Sequence, residues 1–249
     1  MAESKFNTNF IECVNALDIP HFKRITGSLD NCKVRELYIN SYSSLIRFTQ
    51  DIIKRPASDA TSTITALTHM VYGWMPTMLD NINYEGINFN DIFEELKSGR
   101  NIDISGIAKL TNGSVVGASK LLHFVYPDKY PIFDSRVYRG VIRIANVIEP
   151  KKSSLDIDDF KITVPNLSKK DEFYQTYQEK LEIIARKKDL EKIKRELENK
   201  RYIDKDASNI RALEVCLYAI GAGFPKENDS QKERKENIIK LMKKLSGKK

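Results

Sequence analysis

The chain is predicted to be all-α, and three observations carry that expectation. Apolar residues recur at three- and four-residue steps through most of its 249 residues. Alternating strand patterns are scarce. The stretch Val34, Leu37, Tyr38, Ser41, Leu45, Phe48, Ile52 keeps one apolar stripe over five turns, as a helix packed on a core does.

Segments with this period run over 31–55, 60–79, 90–98, 104–110, 115–126, 135–148, 169–199, 207–220 and 232–246. No periodic segment is assigned to residues 1–30. The stretch KKSSLDIDDFKITVPNLSKK (151–170) mixes polarities, contains Pro165 and has no sustained period, so it reads as a long connection. Beyond it, Phe173, Tyr177, Leu181, Ile184, Ile193 and Leu197 mark one face of a single long helix whose other faces carry Lys and Glu. The run from Asn209 to Gly221 reads as an apolar helix with a glycine stop that packs back on the core. The expected organisation is therefore a helical region over 1–150, a loop and long charged helix over 151–205, a returning helix over 206–225 and a basic tail over 226–249.

The 41% apolar content is enough for a sizeable core. No stretch approaches the roughly 18 consecutive apolar residues of a membrane span, and MAESKFNTNF lacks the apolar core of a signal peptide, so a cytoplasmic protein is expected. Cys13, Cys32 and Cys216 are dispersed and odd in number, which argues against a disulfide framework or a cysteine-ligated cluster. His21, His69 and His123 show no metal-ligand spacing, so neither metal nor cofactor is expected. Of the net charge of +7, residues 226–249 supply +5, from nine Lys/Arg against four Asp/Glu. Such a tail suits a phosphate backbone, and equally suits solubility alone.

The most informative run is LTNGSVVGASKLLHFVYPDKYPIFDSRVYR (110–139). Its layout is helix, short polar turn, helix, with the hairpin over 104–126. Asn112 and Gly113 are the residue types that take positive φ most cheaply, and the second helix starts near Ser114. Amide donors at that helix N-terminus favour a phosphate oxygen. After it, PDKYPI turns the chain and delivers Asp134 to the start of another helix, where an aspartate caps free N–H groups with no chemistry implied. His123, on nearly the same face as Lys120, is either a packing residue or an orienting or DNA-contacting one. Tyr72 and Trp74 are either core packing or the walls of a pocket for an extruded base.

These residues resemble the helix-hairpin-helix DNA glycosylase superfamily, in which a hairpin LPGVGxxTA is followed by a helix, a proline turn and VDTHVFR. LTNGSVVGA and FDSRVYR fall on those blocks without a gap. A closer likeness is to a branch with the pattern SKxLHFxxPxxFPIxDS, read here as SKLLHFVYPDKYPIFDS with Tyr130 in place of Phe. Segments similar to RxxExxLxxxG, here Arg211, Glu214, Leu217 and Gly221, close proteins of that branch, which extends the likeness weakly across 60–225. The resemblance implies a helix-hairpin-helix glycosylase-like helical fold with 151–205 as a helical insertion. It implies a catalytic role for Asp134, and DNA contacts from Thr111, Asn112, Gly113, Ser114 and Arg136. Two departures from the pattern matter. Asn112 and Ser114 flank Gly113 where the family has paired glycines, and Val116 stands where lyase-competent members carry a lysine. Lys120 lies one turn further along the same face and is a second candidate nucleophile. The iron–sulfur cysteines of some members are absent. The implied activity is removal of a damaged or modified base from DNA, by base flipping and hydrolysis of the N-glycosidic bond. The alternative is a non-catalytic DNA-binding or partner-binding module of the same fold, in which Asp134 is only a cap.

Overall fold

The computed structural model describes residues 10–29, 36–56, 59–74, 79, 82, 85–100, 102–148, 165–222 and 231–246. Every regular element among them is helical, and no strand occurs among the described residues, so the all-α expectation holds. In chain order the helices are α1 (10–16), α2 (Ile19–Ser28), α3 (Glu36–Lys54), α4 (Ala60–Trp74), α5 (Phe89–Ser98) and α6 (Ile104–Lys109). They continue as α7 (Val115–Val125), α8 (Ser135–Ile148), α9 (Asp171–Ala185), α10 (Leu190–Asn199), α11 (Asn209–Ala222) and α12 (Gln231–Ser246), with a 3-10 turn at Leu167–Lys169 before α9. Cys32, Pro76 and the connection over 151–164 lie outside the described residues. No described helix is long and apolar enough to cross a membrane.

Two helices are buried on nearly every side, and they form the centre. In α7 the buried residues run without a break from Leu121 to Val125, and in α11 from Ala212 to Leu217. A helix apolar all round has no face for water and must be enclosed by others. Thus α7 is covered by α3, α4 and α6, whereas α11 is covered by α8, α9, α10, α12 and α2.

The tightest crossing joins α8 to α11. A Cβ added at Gly140 would meet the Leu217 carbonyl, and one at Gly221 would meet the Arg136 carbonyl. Gly221 therefore lies inside α11, where it is a packing surface for α8 and not the stop that its residue type suggests. Arg143 of α8 is buried beside this crossing and donates through Nη1 to the Ile220 and Gly221 carbonyls, each at 2.8 Å.

Residues 1–30, without an assigned period, contain α1 and α2. Asp18 accepts from the Ile19 amide at 2.7 Å, and the His21 ring accepts from the Asp18 amide at 2.9 Å. With Pro20 in the first turn, this is a reciprocal N-terminal cap. Phe10 of α1 stacks on Tyr138 of α8 with centroids 4.7 Å apart and tilts against Phe173 of α9 at 4.9 Å.

The single long helix expected over 169–199 is two helices. The apolar positions Phe173, Tyr177, Leu181 and Ile184 follow one helical phase, but the next buried residue is Leu190, six further on. No helix presents both sets on one face. The chain turns at 186–189 instead, and ion pairs Lys187–Asp18 and Lys23–Asp189 tie that corner to α2. Phe173, Tyr174, Tyr177, Leu181 and Ile184 are all buried, so α9 belongs to the core and is no peripheral elaboration. Phe173, Leu181 and Ile184 each contribute about 1.5–3 kcal/mol by burial. The region expected as a basic tail is likewise, over Gln231–Ser246, a helix docked on α2 and α11. Leu245 is buried, and Lys240, Lys243 and Lys244 face outward.

Candidate functional site

The hairpin forms where the sequence places it. Asp103 caps α6 by accepting from the Ser105 and Gly106 amides at 2.9 and 3.1 Å, and the chain reverses through Asn112 (φ 57) and Gly113 (φ 61). The turn closes as the Ser114 amide donates to the Thr111 and Ala108 carbonyls at 3.0 and 3.2 Å. The Thr111 hydroxyl is fully buried and reaches the carbonyls of Ile107, Ala108 and Ser114. Thr111 thus holds the hairpin together and is inaccessible to a phosphate. Ser114 opens α7 without a side-chain cap and is buried too, with its hydroxyl 3.1 Å from that of Ser168 in the 3-10 turn. Of the four turn residues expected to meet DNA, only Asn112 and Gly113 reach the surface.

Tyr72, expected as a wall of a base pocket, is buried, and its hydroxyl occupies the space that a Cβ on Gly117 of α7 would need. Trp74 is half-buried. Its ring meets the edge of Phe124 at 5.1 Å and its Nε1 donates to Ser41 Oγ at 3.3 Å. Both aromatics are packing for α4 against α3 and α7, and neither forms an open stacking platform.

After α7, the turn over 127–129 and an irregular stretch over 130–134 lead into α8. Asp134 Oδ1 accepts from the amides of Arg136 and Val137 at 2.9 and 3.0 Å, a helix cap. Its Oδ2 lies 3.9 Å from Arg136 Nη1, and the side chain is 14% exposed. Arg136 is more open and lies over the Tyr218 ring at 5.4 Å. Lys120 of α7 is half-buried. Desolvation holds its amine below the ordinary lysine range, Asp134 pulls it back up, and Arg136 pushes it further down. Asp134, Lys120 and Arg136 therefore form one electrostatic group across α7 and the start of α8. Helical spacing would also set Val116 and Lys120 on a common face.

His123 does not join that group. It is fully buried, and its two ring nitrogens face Tyr42 Oη at 2.6 Å and the Tyr130 carbonyl at 2.7 Å. The carbonyl can only accept, so Nδ1 carries the proton and Nε2 accepts from the tyrosine. Its burial rules out contact with a duplex. Around it lies a cluster that includes Arg211 and Glu214 of the RxxExxLxxxG run, whose burial and partners the motif alone does not show. Glu214 of α11 is 1% exposed, with Oε1 3.3 Å from His123 Nδ1 and accepting from the Ile132 amide. Its Oε2 accepts from Arg211 Nη1 at 3.1 Å, and the Arg211 guanidinium covers the Tyr42 ring at 4.8 Å. The available signal was an Arg and a Glu three residues apart inside the otherwise apolar Asn209–Ala222.

Burial pushes the Glu214 carboxyl up to about 7, against the pull of Arg211 and the Ile132 amide. Burial, with Arg211 nearby, pushes His123 down to about 3. His123 then favours folding increasingly as pH rises from about 3 to its ordinary 6.5, because only the unfolded chain is protonated in that window. Glu214 acts oppositely. Folding loses stability as pH rises from 4.5 to about 7, because only the unfolded chain has released the proton. Between 4.5 and 6.5 the two contributions oppose each other. The wild type is expected to show a shallow slope of stability against pH there, and Glu214→Gln a rising one. Urea midpoints at several pH values check this, and parallel slopes for the two proteins would contradict it.

A cavity of about 500 Å³ lies elsewhere, between α3, the 127–128 turn, α10 and the start of α11, lined by Arg47, Asp128, Lys194, Asp206 and Asn209 among others. None of the expected site residues lines it. No group of three or more His, Cys, Asp or Glu among the described residues is placed to hold a metal ion. Cys13 and Cys216 are both buried. No family model, curated protein or solved structure matches the chain.

Proposed function

We propose that the protein is a DNA N-glycosylase that flips a damaged or modified base out of the duplex and hydrolyses its bond to the sugar. The observation that carries this reading is Asp134, little exposed and facing Arg136 at the start of α8, after a hairpin whose turn exposes Asn112 and Gly113 and whose second helix carries Lys120. In support stand the order of hairpin, proline turn and helix-opening aspartate, and the resemblance of that run to helix-hairpin-helix glycosylases.

The chemistry asked of Asp134 is electrostatic and acid–base. As the base departs with the electron pair of the C1′–N bond, positive charge develops at C1′, and a nearby carboxylate stabilises it. Water then adds its oxygen to C1′ and gives its proton to Asp134. Arg136, largely exposed, is suited to a backbone phosphate. The test is base release from duplexes carrying oxidised, alkylated or deaminated bases, with Asp134→Asn beside the wild type.

Lys120 offers a second route, since a desolvated amine is a better nucleophile at neutral pH. Its attack on C1′ expels the base and, with ring opening, leaves a Schiff base that hydride reduces. If this route operates, borohydride traps a covalent protein–DNA adduct with the wild type and none with Lys120→Ala. Base release without trapping in either protein assigns the reaction to water alone.

One observation favours a non-catalytic DNA-binding module instead: Asp134 Oδ1 is fully used in capping α8. On that reading the protein binds duplex and releases no base from any substrate.

A further inference from the structure

The fully buried Glu214 sits where it has no access to a substrate, yet it grips the chain two residues before Asp134. Its Oε1 accepts from the Ile132 amide, and His123 Nδ1, 3.3 Å from that oxygen, faces the Tyr130 carbonyl at 2.7 Å. The segment 130–134 is irregular, and beyond the Tyr130 amide, which donates to the Tyr126 carbonyl at 3.0 Å, no helical ladder supplies partners for its amides. Side chains do so instead. The Phe133 amide donates to Ser119 Oγ of α7 at 3.0 Å, and the Tyr177 hydroxyl of α9 reaches the Ile132 carbonyl at 3.4 Å. Glu214 is held in turn by Arg211, which lies on Tyr42, and Tyr42 donates to His123. The ring of contacts closes on itself through α3, α7 and α11, all fixed in the core.

We propose that Glu214, braced by Arg211, His123 and Tyr42, is the positioning residue for Asp134: it fixes the 130–134 segment and thereby the direction in which the Asp134 carboxylate points. This rests on the reading of Asp134 as the reacting group. A carboxylate stabilising charge at a sugar carbon acts only within a narrow range of distance, and a shift of about 1 Å costs on the order of 10²-fold in rate. An irregular segment with a free amide at Ile132 would give that shift readily. An apolar residue at 214 would leave the Ile132 amide without an acceptor and the Arg211 guanidinium without its carboxylate.

The experiment compares the full chain with Glu214→Gln and with Leu213→Ala, an apolar control from the same buried stretch of α11. Hydrogen exchange is followed at the Ile132 and Phe133 amides, and base release is measured as kcat and KM separately. In the wild type the Ile132 amide is expected to exchange as slowly as those of α8 and α11. In Glu214→Gln it speeds up at least tenfold relative to them, and kcat falls on the order of 10- to 100-fold with KM for the duplex unchanged. Leu213→Ala lowers stability but keeps kcat and the relative protection of Ile132.

A wild-type Ile132 amide exchanging as fast as a surface turn overturns the proposal even if Glu214→Gln fails to fold. So does unchanged kcat in a folded Glu214→Gln, or an equal loss of kcat in the Leu213→Ala control. If the wild type releases no base at all, the glycosylase reading fails, and the exchange rates still decide whether Glu214 holds the segment.

Discussion

Gly221→Ala is expected to lower the melting temperature by roughly 10 °C, whereas Gly73→Ala in α4 leaves it unchanged or slightly higher. The added Cβ at 221 would overlap the Arg136 carbonyl oxygen and lie 3.0 Å from the Gly140 amide nitrogen. Both are backbone atoms inside a helix, so no side chain can swing away, and α8 and α11 must move apart. Overpacking a core costs about 1–3 kcal/mol when side chains can adjust, and a backbone obstacle puts the cost at the top of that range or above it. For a chain of this size, about 3 kcal/mol corresponds to roughly 6–12 °C. Separating the helices would also draw the Ile220 and Gly221 carbonyls away from Arg143, whose buried guanidinium depends on them. At Gly73 nothing lies within 4 Å of the added atom, and alanine is the better helix former by about 1 kcal/mol. Thermal unfolding of the two variants checks the contrast, and equal melting temperatures would contradict the account of the crossing.

The parts of this fold that are legible in the sequence obey local rules. Asn112 and Gly113 announce the hairpin because positive φ is cheap for few residue types, and Asp134 after Pro131 announces the start of α8. The break between α9 and α10 is also written locally, as the phase slip from Ile184 to Leu190, although a count of apolar residues alone passes over it. Other features depend on residues far apart in the chain. Nothing near Ser114 says that its hydroxyl will meet the turn at Ser168, and nothing near Tyr72 says that its hydroxyl will fill the space beside Gly117. Gly221 shows how one residue type serves two ends. Glycine both ends helices and lets backbones touch, and only the position of α8 decides between them. Glu214 is the clearest case, since its partners come from positions 123, 132 and 211, and the RxxExxLxxxG run that contains it says nothing of the first two.

The same distinction between a local role and a role in the site gives Asp134→Asn its force: base release is expected to fall by about 10²–10³-fold or more while fold and DNA affinity persist. Asparagine caps helices about as well as aspartate, and its amide oxygen can accept from the Arg136 and Val137 amides that Oδ1 now serves. The Arg136 contact at 3.9 Å is lost, but that arginine is largely exposed, and such a pair contributes about 0–1 kcal/mol. Melting should therefore shift by no more than a few degrees. The lost negative charge does change the site. On the proposed glycosylase reading, it no longer stabilises positive charge at C1′ or accepts a proton from water, as Asp134 is proposed to do. It also no longer raises the Lys120 pKa, so that amine titrates lower in the variant than in the wild type. The titration gives a readout independent of any substrate, measurable by NMR at the Lys120 side chain. A lower Lys120 pKa with base release lost is the outcome expected of a catalytic Asp134. If base release persisted in Asp134→Asn on a substrate that the wild type processes, Asp134 would be a helix cap and the reacting group would lie elsewhere.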